Sequence, residues 1–186
     1  MRKLSDIAEI QPGYSFRAAV ETEPGGTIAV IQIKDISEFD FTGLPRISFS
    51  NPKFLLKVGD ILIASRSNFK AALLQEVPIP CIIAASVLRI RVHNQAFSPL
   101  VLAALLNSTQ GQHTLGRLAG GSFMLTLSKQ ELGAFPVPDI SPEQQRQYAC
   151  ALNTIHQYQQ ALAKKQQLTA ELETALSQRL LQEEVQ

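Results

Sequence analysis

The sequence changes character at residues 135–144, which read Phe-Pro-Val-Pro-Asp-Ile-Ser-Pro-Glu-Gln. Glycine, phenylalanine and β-branched residues are mixed before this stretch, whereas the 46 residues from Ser141 onward contain one proline, no glycine and no phenylalanine. Thirty-three of those 46 are Ala, Glu, Lys, Leu, Arg or Gln, a composition typical of one long helix. Ser141 can cap the first turn, Pro142 suits the first helical position, and Gln144 completes a capping box. The stretch therefore predicts a domain over residues 1–140 and a helical part over residues 141–186.

The predicted helix runs from about Pro142 to Glu183 and would be roughly 63 Å long. Large apolar side chains recur along it about every 3.6 residues and form one stripe, which Lys165 interrupts. The stripe consists of Tyr148, Leu152, Ile155, Tyr158, Leu162, Leu168, Leu172, Leu176 and Leu180. A 140-residue domain has a radius of gyration of only about 14 Å. We therefore predict that another chain covers much of the stripe; the alternative is a helix folded back on its own domain.

Residues 1–140 alternate short strands with turns and contain few helices. The predicted strands are Ile28–Lys34, Asp60–Ala64 and Ser86–Val92, and the predicted helices are one from Ser98-Pro99 to about Asn107, one over Gln112–Leu118 and one starting at the capping box Ser128–Glu131. This mixture predicts an α+β domain followed by one long helix.

Composition excludes several classes of protein. The chain has 186 residues, 45% of them hydrophobic, and two cysteines, which is typical of a globular protein and not of a disulfide scaffold. Cys81 and Cys150 are far apart in sequence and are expected to be reduced thiols. No signal peptide is recognisable, and the apolar runs Val77–Leu88 and Leu100–Leu106 are too short to span a bilayer. We therefore expect a cytoplasmic protein.

The basic residues are concentrated in the middle of the chain. Residues 42–137 contain nine Lys and Arg against three Asp and Glu, so 9 − 3 = +6, although the whole chain carries only +1. Such a surplus fits a surface that contacts phosphates, and equally an ordinary solvated surface.

The sequence lacks the patterns of a self-sufficient enzyme. The three histidines, His93, His113 and His156, are isolated, and no zinc, calcium, dinucleotide, Walker or nucleophile-elbow motif occurs. We expect no metal, no cofactor and no catalytic residue.

Five segments, in this order and spacing, carry a family resemblance. They are Lys3–Gly13, Val58–Ser67, the block from Leu105-Leu106-Asn107-Ser108 through Gly120-Gly121-Ser122 to Leu127-Ser128, Phe135–Gln145, and Gln178–Gln182. Together they resemble a target-recognition domain and its spacer helix in the specificity subunits of type I restriction–modification systems. The resemblance covers nearly the whole chain.

This resemblance implies a subunit that reads double-stranded DNA without catalysis and docks modification (methyltransferase) subunits, sometimes with a restriction subunit. Family members usually carry two recognition domains and two helices, whereas this chain has one of each. It therefore looks like a half-subunit that pairs with itself, or with another half, through the helix. Two identical halves would read a bipartite, palindromic site. The expected pairing positions are Leu152, Ile155, Leu162, Leu168, Leu172, Leu176 and Leu180.

Three loops are candidates for DNA contact under this interpretation: first Ser65–Lys70, second Gly120–Phe123 and third Tyr14–Arg17. In the loop after the Asp60–Ala64 strand, Arg66 is suited to guanine, Asn68 to adenine and Lys70 to phosphate. The candidate DNA contacts are Tyr14, Arg17, Arg66, Ser67, Asn68, Lys70, Arg117 and Ser122. Two other functions stay open: a coiled-coil adaptor whose basic face is incidental, and a decoy that binds the methyltransferase subunit but reads no DNA.

Overall fold

A computed structural model describes residues 1–36, 40–66, 68–93, 97–120 and 125–183, without the side chains of residues 180–183. The described strands are β1 (Arg2–Lys3), β2 (Ala8–Pro12), β3 (Ile28–Ile31), β4 (Arg46–Ile47), β5 (Ile61–Ala64), β6 (Ala71–Leu73), β7 (Cys81–Ile83), β8 (Val87–Val92) and β9 (Pro136–Val137). The described α-helices are α1 (Leu4–Ile7), α2 (Pro99–Asn107), α3 (Thr109–Leu118), α4 (Lys129–Gly133) and α5 (Pro142–Glu183), and two 3-10 helices span Ile33–Ile36 and Pro52–Phe54. The predicted α+β class with one long helix is confirmed.

Two sheets form the body of the N-terminal part. The larger is antiparallel with strand order β2-β8-β5-β6, and the smaller has the order β4-β3-β7, in which β3 and β7 are parallel. A third, two-stranded pairing joins β1 to β9. Buried apolar residues from both larger sheets share one core, among them Ile31, Leu62 and Ile83. Burial of these side chains is the main source of stability for this arrangement.

Two predicted elements have an end that lies three residues from the predicted one, whereas the strands predicted from Asp60 and Ser86 begin one residue later. The strand predicted over Ile28–Lys34 stops at Ile31, because the Asp35 carboxylate accepts a hydrogen bond from the Gln32 N–H at 2.8 Å and the chain turns into a 3-10 helix. The helix predicted from Gln112 begins earlier, at Thr109, because the Ser108 hydroxyl caps it by accepting from the Gly111 N–H at 3.0 Å.

The chain forms two compact units, Met1–Gln145 and the part from Arg146 onward. The first turn of α5 belongs to the first unit because Gln145 is buried there. The Gln145 side-chain oxygen accepts from the Ser98 N–H at 2.7 Å, and its amide donates to the Ile140 carbonyl at 3.3 Å. The division predicted after residue 140 stays a prediction about folding units.

Beyond Gln145, α5 exposes large apolar side chains. Ile155, Leu162, Leu168, Leu172 and Leu176 are all classed as exposed, and Leu152 is half-buried. The most exposed member of the stripe is Tyr158, at 73%. The side chain of Leu180 lies outside the described residues. None of the described helices combines the length and the apolar character needed to cross a bilayer.

Candidate nucleic-acid interface

The loop between β5 and β6, residues 65–70, alternates between anchoring and exposed positions. Phe69 is buried (3% exposed), whereas Arg66, Asn68 and Lys70 are exposed; Ser67 lies outside the described residues. Phe69 has a φ of 42°, a left-handed conformation that is uncommon for a residue with a side chain. The buried ring therefore fixes the loop, while the side chains of Arg66, Asn68 and Lys70 face solvent.

Gly120, just after α3, and residues 125–127 lie beside this loop. The Leu127 N–H donates to the Ser65 carbonyl at 2.8 Å, and Thr126 forms antiparallel bridges with both Arg66 and Gly120. Arg117, exposed on the last turn of α3, lines an open cleft of about 470 Å³ together with Leu125, the neighbour of Thr126. The structure thus brings Arg117 into the neighbourhood of Arg66.

The third candidate loop meets the first through the β7–β8 turn, residues 84–86. The Ser65 N–H and hydroxyl both donate to the Ser86 carbonyl, at 2.9 and 2.8 Å. At the same turn, Tyr14 forms a parallel bridge with Ala84. Gly13 is required here because a Cβ on it would lie 2.1 Å from the Ala84 oxygen. The β5–β6 loop and the Tyr14–Arg17 loop therefore adjoin each other at one end of the domain, whereas the Gly120–Phe123 loop lies outside the described residues apart from Gly120.

Tyr14 has a packing role as well. Its ring makes edge-to-face contacts with Phe16, Phe49 and Phe54, with centroids 5.0, 5.0 and 5.5 Å away, and this cluster covers the outer face of the β4-β3-β7 sheet. Tyr14 remains 38% exposed and Arg17 is exposed beyond it. Ser122, the last predicted contact, lies outside the described residues.

Two of the nine basic residues in the middle of the chain serve the fold. Arg91 forms a two-pronged ion pair with buried Asp60, at 2.6 and 2.7 Å, which raises the pKa of Arg91. Arg89 is buried and lies 3.1 Å from a Glu9 oxygen; loss of hydration lowers its pKa. Removing these two and Asp60 from the count leaves 7 − 2 = +5 for the stretch.

The seven remaining basic residues are exposed; they are Arg46, Lys53, Lys57, Arg66, Lys70, Arg117 and Lys129. Among the described residues, no carboxylate forms an ion pair with any of them. The nearby Glu131 carboxylate accepts hydrogen bonds from the Ser128 N–H and hydroxyl and from the Gly120 backbone instead of pairing with one of these basic residues. These hydrogen bonds lower the pKa of Glu131. The surplus positive charge is therefore available to a polyanion.

Two residues that hold the β5–β6 loop were not assigned a role by sequence reasoning. The Asn107 side chain bonds both backbone groups of Ala71, and Gln112 donates to the Phe69 carbonyl. Asn107 belongs to the Leu105-Leu106-Asn107-Ser108 segment of the family resemblance. Its contact with Ala71 could not be predicted from local sequence, because the two residues are 36 positions apart.

The comparisons with known proteins identify the family. The chain matches the model for the type I restriction modification DNA specificity domain over residues 1–174. Because the match covers most of the sequence, the chain belongs to this family, and the resemblance noted in the sequence is confirmed. A search of curated proteins found no match.

Solved structures share the fold. The HsdS subunit from Thermoanaerobacter tengcongensis is 21% identical with a TM-score of 0.63, covering 88% of this chain and 39% of that one. A structure on complex assembly and conformational transition of the type I R-M system is 22% identical with a TM-score of 0.64; the match covers 90% of this chain and 40% of that one. The S subunit of a type I restriction-modification system from M. genitalium is 14% identical with a TM-score of 0.60; the match covers 88% of this chain and 40% of that one. The present chain thus spans about 40% of the length of these structures.

Proposed function

We propose that this chain is a DNA-reading unit of a type I restriction–modification complex. The observation that carries the proposal is that the β5–β6 loop lies beside both the Tyr14–Arg17 loop and the end of α3, and that these segments present exposed polar and basic side chains. We call this set the reading surface: Tyr14 and Arg17, the β5–β6 loop with Arg66, Asn68 and Lys70, and Arg117. Family membership supports the choice of DNA over another polyanion.

The residues of the reading surface have different chemical tasks. Arg66 carries a planar fork of donors that matches the O6 and N7 acceptors of guanine, and Asn68 has the donor and acceptor that match adenine. Lys70 and Arg117 offer charge to phosphates, and each phosphate contact adds about 0.9 to the slope of log affinity against log salt. Ser67 and Ser122, in the same loops by sequence, complete the proposed contacts.

The chain itself has no catalytic role in this proposal. Methyl transfer comes from docked methyltransferase subunits, and cleavage comes from a restriction subunit where the system has one. Among the described residues, no three His, Cys, Asp or Glu side chains gather as a metal site would need. The reading unit therefore determines where the chemistry occurs, and its partners perform it.

Helix α5 joins two reading units. The stripe from Ile155 to Leu176 exposes apolar side chains to water, which is unfavourable for a lone helix. Pairing with the stripe of a second copy buries these side chains. A two-fold pairing of identical units reads two inverted half-sites, so the target is bipartite and palindromic.

The charges on α5 favour antiparallel pairing. In a parallel pair, the two Lys165 side chains would lie at the same level within the stripe, where like charges repel. In an antiparallel pair centred on residue 167, Leu162 of one copy lies level with Leu172 of the other, since both are five residues from the centre. Lys164 then lies within one residue of the level of Glu171 on the other copy, where an ion pair can form.

Co-expression with the cognate methyltransferase subunit tests the proposal. Methylome sequencing should find methylated adenine at a gapped palindrome, and Arg66→Ala should relax the preference at one base position, costing roughly 1–3 kcal/mol there. An asymmetric motif would refute the homodimer and favour pairing with a different unit. If the chain co-purifies with the methyltransferase subunit but no site-specific methylation or DNA binding occurs, the adaptor or decoy is the correct function.

A further inference from the structure

The side chain of Asn107 forms hydrogen bonds with the main chain at the edge of the larger sheet, in the place where a further strand would pair. β6 is the edge strand, and residue Ala71 pairs with Ile63 of β5. The Ala71 N–H donates to Asn107 Oδ1 at 2.9 Å, and Asn107 Nδ2 donates to the Ala71 carbonyl at 2.7 Å. These are the two bonds that a neighbouring strand would supply. Asn107 therefore ties the end of α2 to the point where the β5–β6 loop enters β6.

Gln112, on the next helix, α3, holds the same loop. Its Nε2 donates to the Phe69 carbonyl at 3.2 Å and to the Leu106 carbonyl at 2.8 Å. Phe69 has the left-handed backbone described above, a conformation that persists only where the surroundings fix it. Gln112 is one of the groups that fix it, because it bonds the peptide that follows Phe69.

We propose that Asn107 and Gln112 are positioning residues for DNA reading. Resting on the proposed function, the inference is that these amides set the course of the loop backbone and so the placement of Arg66 and Asn68. Base recognition by paired hydrogen bonds needs a fixed geometry, whereas a phosphate contact by a long lysine such as Lys70 tolerates movement. Loss of the amides therefore lowers discrimination between DNA sequences more than it lowers the salt-dependent affinity.

The variants are expected to fold. Asn107 is exposed and Gln112 is only half-buried, so neither substitution opens the core. Asn107→Ala and Gln112→Ala are compared with Asn153→Ala, an exposed asparagine of α5 outside the loop contacts. Asn107→Gln is the conservative variant, because its side-chain amide keeps both the acceptor for the Ala71 N–H and the donor for the Ala71 carbonyl.

The first measurement is hydrogen exchange of the full chain without DNA. In Asn107→Ala the Ala71 amide should exchange about tenfold faster, in Asn107→Gln part of its protection should return, and in Asn153→Ala it should not change. Unchanged exchange at Ala71 in Asn107→Ala overturns the positioning role whatever the DNA results.

The second measurement is binding to a duplex that the wild-type chain selects from a random pool, against a scrambled duplex. Asn107→Ala should lower the ratio of the two affinities about tenfold and leave the salt slope unchanged. Faster exchange with an unchanged ratio overturns the inference, as does a parallel fall in ratio and slope, which would indicate direct DNA contact. A wild-type chain that selects no duplex refutes the proposed function, and with it the DNA part of this inference.

Discussion

Removal of Arg91 tests whether part of the basic charge serves the fold instead of DNA. Asp60 is only 1% exposed, and its two carboxylate oxygens accept from Arg91 at 2.6 and 2.7 Å. One of them also accepts from the Lys57 N–H at 2.8 Å. Arg91→Ala leaves a buried carboxylate with that single described donor.

The expected loss can be worked from this geometry. Removing one partner of a buried ion pair costs about 3–5 kcal/mol. The Arg91 side chain is 27% exposed, so water can enter the vacated space, and the lower end of about 3 kcal/mol applies. At about 2–4 °C per kcal/mol for a chain of this size, the melting temperature should fall by roughly 6–12 °C. The salt slope of DNA binding should not change, because the guanidinium is already neutralised.

Urea unfolding followed by circular dichroism measures the effect. The matched control is Arg46→Ala, which removes an exposed arginine of β4 and should change the free energy of unfolding by less than about 0.5 kcal/mol. Asp60→Asn in the Arg91→Ala background should recover part of the loss, because the buried charge is gone. Equal effects of Arg91→Ala and Arg46→Ala would refute the structural role of the pair.

Three further predictions concern the surface and the helix. Lys70→Ala should weaken binding to all duplexes alike and lower the salt slope by about 0.9, with no change in stability; titration at several salt concentrations measures this, and an unchanged slope contradicts a phosphate contact. Leu172→Asp with Leu176→Asp should abolish pairing in light scattering while the N-terminal unit keeps its circular dichroism; a persistent dimer would exclude the stripe as the interface. Burial raises the pKa of the Cys81 thiol to about 12, so at pH 8 a thiol reagent should modify one group per native chain, at exposed Cys150; labelling of both would contradict the burial of Cys81.

Local sequence signals predicted where α2, α4 and α5 begin, but they missed α1 and placed the start of α3 three residues too late. The capping boxes at Ser128 and Ser141 and the proline at position 142 fix where α4 and α5 begin, and all of these determinants lie within four residues of the helix start. The end of β3 was predicted too late because the Asp35 cap on Gln32 outweighs the apolar alternation that continues to Ile33.

Contacts between distant segments could not be predicted in the same way. Charge counting treated Arg89 and Arg91 like the other basic residues, because the carboxylates that neutralise them are distant in sequence: Glu9 lies on β2 and Asp60 directly before β5. The adjacency of the β5–β6 loop and the Tyr14–Arg17 loop likewise depends on the β7–β8 turn, which joins Ser65 to Ser86 and Tyr14 to Ala84. Such relations follow from sheet order, which short motifs do not encode.

The way the β5–β6 loop is held has a consequence for how this protein can change. Its anchors are the buried Phe69 ring and hydrogen bonds to main-chain atoms of Ser65, Phe69 and Ala71. The exposed side chains at positions 66 and 68 take part in none of those anchoring bonds to other segments. A substitution at either position can therefore alter what the loop recognises while the anchors stay in place. The residues that hold the loop in place are thus different from those that would contact DNA. New target preferences can therefore arise by single substitutions that leave the fold intact.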